Sequence, residues 1–411
     1  MNLLRKGYIV LLILAIVLVS CTPQSSGTSQ SSSEIPIGAL PPITGAGAQD
    51  GPQMAKTIEL AVEEVNAAGG PLGRQLKLYM QDSQTDADSA VRAAQKLIDV
   101  NKVVAIIGTW DSTSTLAISP LTIEAGVIEM NTSGSPAISD LNDNDLVWRL
   151  EAPASLFGEA LGRVAIQKGW MTTVAMASNT PSALGDISGF VSYYVNNGGT
   201  VINTIVYNPD QTSYATEVEK ALASNADVIT ITGYAPDVSK VLKDWWETGQ
   251  TDQKWFGQTI AINEVTAANI GNEIVEGMTN VNSVPDLESP AYKSIAARYE
   301  EATGKSLGGN SYAAQAYDQV ILVALAIEAC KCDTGQEITK FIRDVSGPPG
   351  ELVYSFAEGV KLLREGKNID YEGASSMIDF DARGDPKPNF GIFELHDGKL
   401  VLVGNLSLST K

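Results

Sequence analysis

Val103-Val104-Ala105-Ile106-Ile107-Gly108-Thr109-Trp110-Asp111-Ser112-Thr113-Ser114-Thr115 is the stretch from which the rest of the chain can be read. Residues 103–108 are apolar or glycine with no polar alternation, as a strand buried on both faces of a parallel sheet requires. A hydroxyl-rich turn follows, and then a helix over 114–125. The same unit recurs outward. Residues 35–40 read as a strand and 53–68 as a helix, with Met54, Ile58, Ala61, Val62 and Val65 on one face and Gly69-Gly70 at its end. Next come a strand at 75–81, a helix at 86–100 and a strand at 127–130. This βαβαβαβ order predicts a parallel sheet with helices on both faces. A second round has helices at 155–168, 185–197, 214–224 and 236–249, alternating with strands at 172–177, 201–207, 228–232 and 254–257. Helices at 289–303 and 312–329 and a β-rich close at 376–380, 391–395 and 399–403 complete the chain. The expected fold class is α/β, with two doubly wound parallel-sheet lobes.

The first residues are of another kind. Arg5 and Lys6 precede an apolar run at 8–19, and Leu18-Val19-Ser20 leads into Cys21. A basic start, a short apolar core and a small residue before the cleavage point form an export signal. The run of about twelve residues is short of the roughly 20 needed to span a bilayer. Cys21 resembles the lipobox cysteine of bacterial lipoproteins, which implies that residues 1–20 are removed and that Cys21 carries lipid. Residues 22–34, TPQSSGTSQSSSE, hold no apolar side chain able to pack, so 21–34 is expected to be a flexible tether.

The 411 residues are 44% hydrophobic, and 28 Lys and Arg stand against 48 Asp and Glu, a net charge of −20. That excess argues against nucleic acid and against close contact with anionic lipid. Cys330 and Cys332 read either as thiols or as a local disulfide. A zinc site would need further ligands, and the one histidine, His396, is distant in sequence. No metal and no cofactor is expected. His396 reads as a solvated turn residue and Trp245-Trp246 as helix packing.

Ligands of open parallel sheets bind beyond the carboxyl ends of the strands. Two such turns are rich in hydroxyls, residues 109–115 and Asn131-Thr132-Ser133-Gly134-Ser135-Pro136. Ser112 is placed to cap the first helix, and Ser135 before Pro136 fits an N-cap with proline at the first helical position. Hydroxyls and backbone N–H groups at helix starts suit an anion, so the two turns form either a carboxylate clamp or simple helix caps.

Residues 37–45 (IGALPPITG), Glu64-Val65-Asn66-Ala67-Ala68-Gly69-Gly70, Ile107-Gly108, Thr232-Gly233-Tyr234, Gly257, Tyr371-Glu372-Gly373-Ala374-Ser375 and residues 378–384 (IDFDARG) occur in this order. Together they resemble the branched-chain amino acid type of periplasmic solute-binding proteins, over essentially all the chain after Glu34. The resemblance implies a type I binding fold with two lobes joined by three crossover strands, lobe 1 being 35–151 plus 282–377 and lobe 2 being 152–281 plus 378–411. It implies a small solute closed between the lobes and ABC permease subunits as partners. The clamp then falls on Ser112 and Thr113 in the first turn, and on Thr132, Ser133, Gly134 and Ser135 in the second. Gly134 stands where a threonine is common. Tyr234 matches an aromatic across the cleft, and Leu184 before Gly185 replaces another. Thr259, two residues after Gly257, stands where the acid that pairs with a solute ammonium is expected. Asp50, Asp111 or Glu264 would then supply that charge, or else are loop carboxylates. Trp110 is either a wall for the ligand or a cover for the sheet edge.

An enzyme is not expected. Residues 45–51 (GAGAQDG) are spaced G-x-G-x-x-x-G rather than G-x-G-x-x-G. There is no G-x-S-x-G elbow, and a single histidine leaves little for a hydrolytic triad. The expectation is a monomeric lipoprotein on the outer face of the cytoplasmic membrane that captures an amino acid, related carboxylate or amide for an ABC importer. A receptor-type binding lipoprotein that senses the same ligands is the alternative.

Overall fold

Along the first strand, β1 (Glu34–Ala39), Ile35, Ile37 and Ala39 enter one core, and the next residue, Leu40, enters a second core behind the sheet. This is the two-residue alternation of a strand covered on both sides. The fold is that of a computed structural model describing residues 34–375, 378–386 and 389–408; Cys21, the signal and all of the tether before Glu34 lie outside the described residues. After β1 come α1 (Gly51–Ala67), β2 (Gln75–Met80), α2 (Ala87–Asp99), β3 (Ala105–Thr109), α3 (Ser112–Ala125), β4 (Ile128–Asn131), α4 (Pro136–Ser139) and β5 (Val147–Arg149). The second round is α5 (Ala154–Gln167), β6 (Thr172–Ser178), α6 (Pro181–Asn196), β7 (Thr200–Tyr207), α7 (Ala215–Leu222), β8 (Val228–Thr232), α8 (Ala235–Glu247) and β9 (Trp255–Gln258). Then follow α9 (Glu264–Ile270), α10 (Asn272–Val275), β10 (Thr279–Val284), α11 (Pro290–Thr303) and α12 (Ser311–Cys330). Short helices lead to β11 (Glu351–Val353), β12 (Ile369–Tyr371), β13 (Asn389–His396) and β14 (Lys399–Leu406).

The first sheet has the order β2-β1-β3-β4-β5 and is parallel throughout. The second has the order β14-β13-β10-β9-β8-β6-β7. Its strands from β6 to β10 are parallel, and β13 and β14 close one edge antiparallel. The second lobe is therefore mixed rather than purely parallel, because a two-residue Asp397-Gly398 turn, with φ of 50° and 72°, joins β13 directly to β14. β11 and β12 pair in parallel as a separate two-stranded sheet, and the chain passes between the first core and the second sheet three times: between β5 and α5, between β10 and α11, and between β12 and β13. β10 stays paired with β13 through Val284, so the border expected at 281/282 cuts a paired strand. Ile378 and Phe380 pack with the first core, although a strand was expected at 376–380. Ser376 and Met377 lie outside the described residues.

Among the described residues, α12 is the one helix long and apolar enough to cross a membrane, yet 89% of its apolar window is buried in the fold. It packs along α1 as a core helix, and the Thr57 hydroxyl donates to its Ala313 carbonyl at 2.8 Å. Cys330 and Cys332 are joined by a disulfide at its end.

Beneath α3, Glu129 of β4 is fully buried, one carboxylate oxygen accepting from the Thr122 hydroxyl at 2.8 Å and the other lacking a partner. Burial pushes this carboxyl up to about 8. The native state thus keeps a proton that the unfolded chain loses near its ordinary value of 4.5, and stability falls as pH rises from there through about 8. Glu129→Gln is expected to remove this slope and to stabilise the protein at pH above about 8 by a few kcal/mol. Urea midpoints of both proteins at acidic and alkaline pH measure it, and parallel pH profiles would refute it.

Candidate functional site

In each sheet the strand order reverses at one point, between β1 and β3 in the first and between β6 and β8 in the second. Loops splay apart at such switch points and leave a crevice beyond the carboxyl ends. The turn after β3 brings Trp110, and the turn after β8 brings Tyr234. The two rings stack across the gap with centroids 5.1 Å apart and planes at 28°, while Tyr312 meets Trp110 edge-on at 5.9 Å. Trp110 therefore walls the cleft instead of covering the sheet edge.

The first-lobe wall is braced from behind. Asp111, not Ser112, caps α3, accepting from the Ser114 N–H at 2.8 Å. Ser112 is the first helical residue, and its hydroxyl oxygen accepts from the Ser135 N–H at 2.9 Å, which leaves its proton to donate. Ser135 caps α4 with Pro136 next to it, as the sequence predicts. The Ser133 hydroxyl is committed to the Thr115 hydroxyl and the Trp110 carbonyl, and the Thr132 hydroxyl to the Thr109 carbonyl. Arg149, 1% exposed, donates to the Ser133 and Ser135 carbonyls at 3.2 and 2.8 Å and to Asp385 through Nε at 3.0 Å. With those carbonyls turned towards Arg149, the residue between them, Gly134, faces the second lobe. A Cβ there would lie 2.5 Å from the Ser182 hydroxyl oxygen, so a side chain at this position would require Ser182 to turn away.

The cleft, a cavity of about 30 Å³, is lined by Trp110, Ser112, Thr132 and Gly134 from the first turns. Phe157, Ser182, Asp186, Tyr234, Gln258 and Ile260 face them, and Glu151 and Tyr312 complete the wall. Two carboxyls thus enter it. Asp186 sits one helical turn after Ser182 on α6, is 3% exposed, and has one carboxylate oxygen without a partner. Burial drives this carboxyl far above the usual carboxylate range, Gln258 opposing the shift and Glu151 adding to it. Glu151 accepts from the Ala152 N–H at 2.7 Å, the Ser283 hydroxyl at 3.0 Å and the Gln315 amide at 3.1 Å. Its burial outweighs these bonds and pushes it up to about 7.

Several expected site residues lie elsewhere. Helix α6 starts at Pro181 rather than 185 because Thr180-Pro181 opens it with proline in its first turn. Leu184 consequently rides on the helix and packs against the second-lobe core. Thr113 is exposed. Thr259 turns into a neighbouring cavity of about 340 Å³ and its predecessor, Gln258, faces the cleft, as successive residues leaving a strand take opposite sides. Asp50 and Glu264 line that second cavity too. Asp50 accepts from Gln49 and Asn310 at 3.0 and 2.9 Å and is pushed up to about 6, mainly by burial. Glu264 accepts from the Leu400 N–H at 3.0 Å. Gln49 in turn accepts from Asn263 at 3.1 Å, a direct bond from the β1–α1 loop to the start of α9. Asp111 is held by its cap. Of the pair on α8, Trp245 is core and Trp246 is 36% exposed.

Sequence reasoning missed Asp186, Glu151, Gln258, Tyr312 and Phe157. For Asp186 a signal existed: it falls among Ala183, Ile187 and Phe190, the buried face of α6, where an acid needs a reason. Glu151 lies between elements, where no periodicity marks a buried face.

A family model described as periplasmic binding protein matches residues 34–362. The Leu/Ile/Val-binding protein homolog 3 of Brucella melitensis is 22% identical over 376 residues, 91% of this chain and 94% of that protein. An amino acid binding protein of Pseudomonas aeruginosa is 24% identical over 281 residues, 67% of this chain and 72% of that one. The leucine binding protein LivK of Thermotoga maritima has the same fold, with a TM-score of 0.78 at 22% identity over 91% of this chain and 99% of its own. A solute binding protein of R. palustris in complex with benzoate has a TM-score of 0.73 at 20% identity, over 90% and 96% of the two chains. Fold and neighbours define a type I binding protein, two α/β lobes around a cleft. The chain belongs to the periplasmic binding protein family, and the relatives it resembles include Leu/Ile/Val-binding protein homologues. That family binds solutes outside the cytoplasm and is not enzymatic.

Proposed function

We propose that the chain is a monomeric lipoprotein, anchored through Cys21, that closes on an amino acid and presents it to the permease of an ABC importer. The lobe built on the first sheet receives the solute carboxylate at the start of α3, where the Ser112 hydroxyl has a proton to give. The lobe built on the second sheet closes over it with Tyr234, and Asp186 takes the ammonium. The observation that carries this reading is the buried Asp186 oxygen without a partner, set in a cleft lined from both lobes. The solved neighbours include one with isoleucine and one with benzoate. An unpaired carboxyl in the cleft favours a solute that brings a protonated nitrogen over one that brings only a carboxylate.

Asp186→Asn preserves the shape and removes the charge. It is expected to weaken binding of amino acids that stabilise the parent protein by at least about 30-fold, since leaving a buried charge unpaired costs about 2 kcal/mol or more. Calorimetric titration measures it. Equal affinity in both proteins would remove Asp186 from the site.

A further inference from the structure

Glu151 lines the same cleft as Asp186 and is close enough for its charge to raise that residue's carboxyl. Three protein donors already reach it. A carboxylate offers about four acceptor positions, so one remains for the solute. Among the described residues no Lys, Arg or His lines the cleft. The nearest cation, Arg149, is committed to Asp385 and to the two turn carbonyls. The other titratable groups around the pair are Tyr234 and Tyr312, whose hydroxyls burial keeps neutral. Arg149 and the three donors favour the ionised Glu151, but burial outweighs them, and the Glu151 charge in turn opposes ionisation of Asp186, so a cation between the two carboxyls favours the ionised form of both.

Resting on the function proposed above, we infer that Glu151 and Asp186 share the protonated nitrogen of the solute, and that the two carboxyls release their protons to solvent as it enters. The ammonium keeps its own protons, and each carboxylic acid that becomes a carboxylate sends one to the bulk. Glu151 is then a second specificity-determining residue. It selects solutes with a cationic head and turns away simple aromatic or aliphatic carboxylates, which would leave both acceptors unpaired in the closed cleft. Binding is coupled to pH: with both carboxyls protonated in the free protein, affinity rises with pH, about tenfold per unit for each proton released.

The test uses the mature protein with the standard L-amino acids and benzoate as probes. Thermal shift selects the amino acid that stabilises most, and titration calorimetry follows at pH 6 and pH 8 in buffers of different ionisation enthalpy. The expected result is release of close to two protons at pH 6, where Asp186 alone would release one, and of about one at pH 8, with tighter binding at pH 8 and no stabilisation by benzoate. Glu151→Gln should release about one proton fewer at pH 6 and bind at least about tenfold more weakly. Buffer-independent heats, or a Glu151→Gln variant with unchanged affinity and proton count, would overturn the shared role while leaving the amino-acid reading in place. No response to any amino acid would overturn both. The proton count of the parent protein decides the matter even if the variant does not fold.

Discussion

Arg149→Met is expected to cost about 3–5 kcal/mol of folding stability, the range for removing one partner of a buried ion pair. The guanidinium and Asp385 are 1% and 5% exposed, so the aspartate left behind cannot recruit water freely. Asp385 reaches Arg149 from the third passage of the chain, far from β5 in sequence, so the pair ties that passage to the first sheet. The Ser133 and Ser135 carbonyls would lose their donor at the same time, and the turn holding Gly134 against Ser182 would be left to its remaining bonds to Ser112, Thr115 and Trp110. Methionine keeps the length of the side chain, which separates the loss of charge and donors from the loss of packing. Urea unfolding at neutral pH measures the effect. A loss below about 1 kcal/mol, the level of an exposed pair, would mean the ion pair does not hold the passage. The same variant should bind amino acids more weakly even where it remains folded, because the clamp turn is less firmly braced.

Gly158→Ala should destabilise by about 2 kcal/mol or more, against the sign that helix propensity alone gives. In an open helix the exchange is favourable by about 1 kcal/mol. Here α5 and α6 cross so closely that a Cβ on Gly158 would lie 2.1 Å from the Asp186 carbonyl oxygen and 2.3 Å from the Phe190 nitrogen. Gly189 meets the Ser155 carbonyl in the same way at 2.3 Å. These are backbone atoms, so no side-chain rotation relieves the clash and the helices must separate. The helix that moves carries Ser182 and Asp186, so amino-acid affinity is expected to fall together with the melting temperature. A stabilised Gly158→Ala protein would show that the two helices do not make this contact.

The helices and strands of the two rounds are legible in the sequence because each buries a face at its own period. Val228–Thr232 is found as expected, and α1, α2 and β7 start within two residues of expectation. Among what escaped are β5, three residues long, β10 with its polar Asn280 and Asn282, the α9–α10 pair, and β11 and β12 with the capped helix Phe356–Arg364 between them. β5 and β10 owe their structure to pairing with neighbouring strands and not to local pattern, while α9 and α10 are only seven and four residues long, too short for a helical period to show. The site divides in the same way. Trp110, Ser112, Thr132, Gly134 and Tyr234 stand in turns that directly follow strands, and a parallel sheet gathers such turns at one edge. Leu184, Thr259, Asp50 and Glu264 were placed by counting from a glycine or by loop position. One early helix start, or one residue of alternation at a strand end, sends them to another surface.

The sequence by itself determined the alternation of strands and helices, the hydroxyl-rich turns at the strand ends, and the acidic composition, since each is written in neighbouring residues or in their sum. Only the tertiary structure decided which carboxyls enter the cleft. Glu151 and Asp186 lie 35 positions apart, one between elements and one inside a helix. Their shared cavity exists because β6 borders the switch point of its sheet, α6 rests on α5 with glycines between them, and Arg149 holds the facing turn. Burial, which drives both carboxyls away from their ordinary behaviour, is a property of that packing and of no segment taken alone.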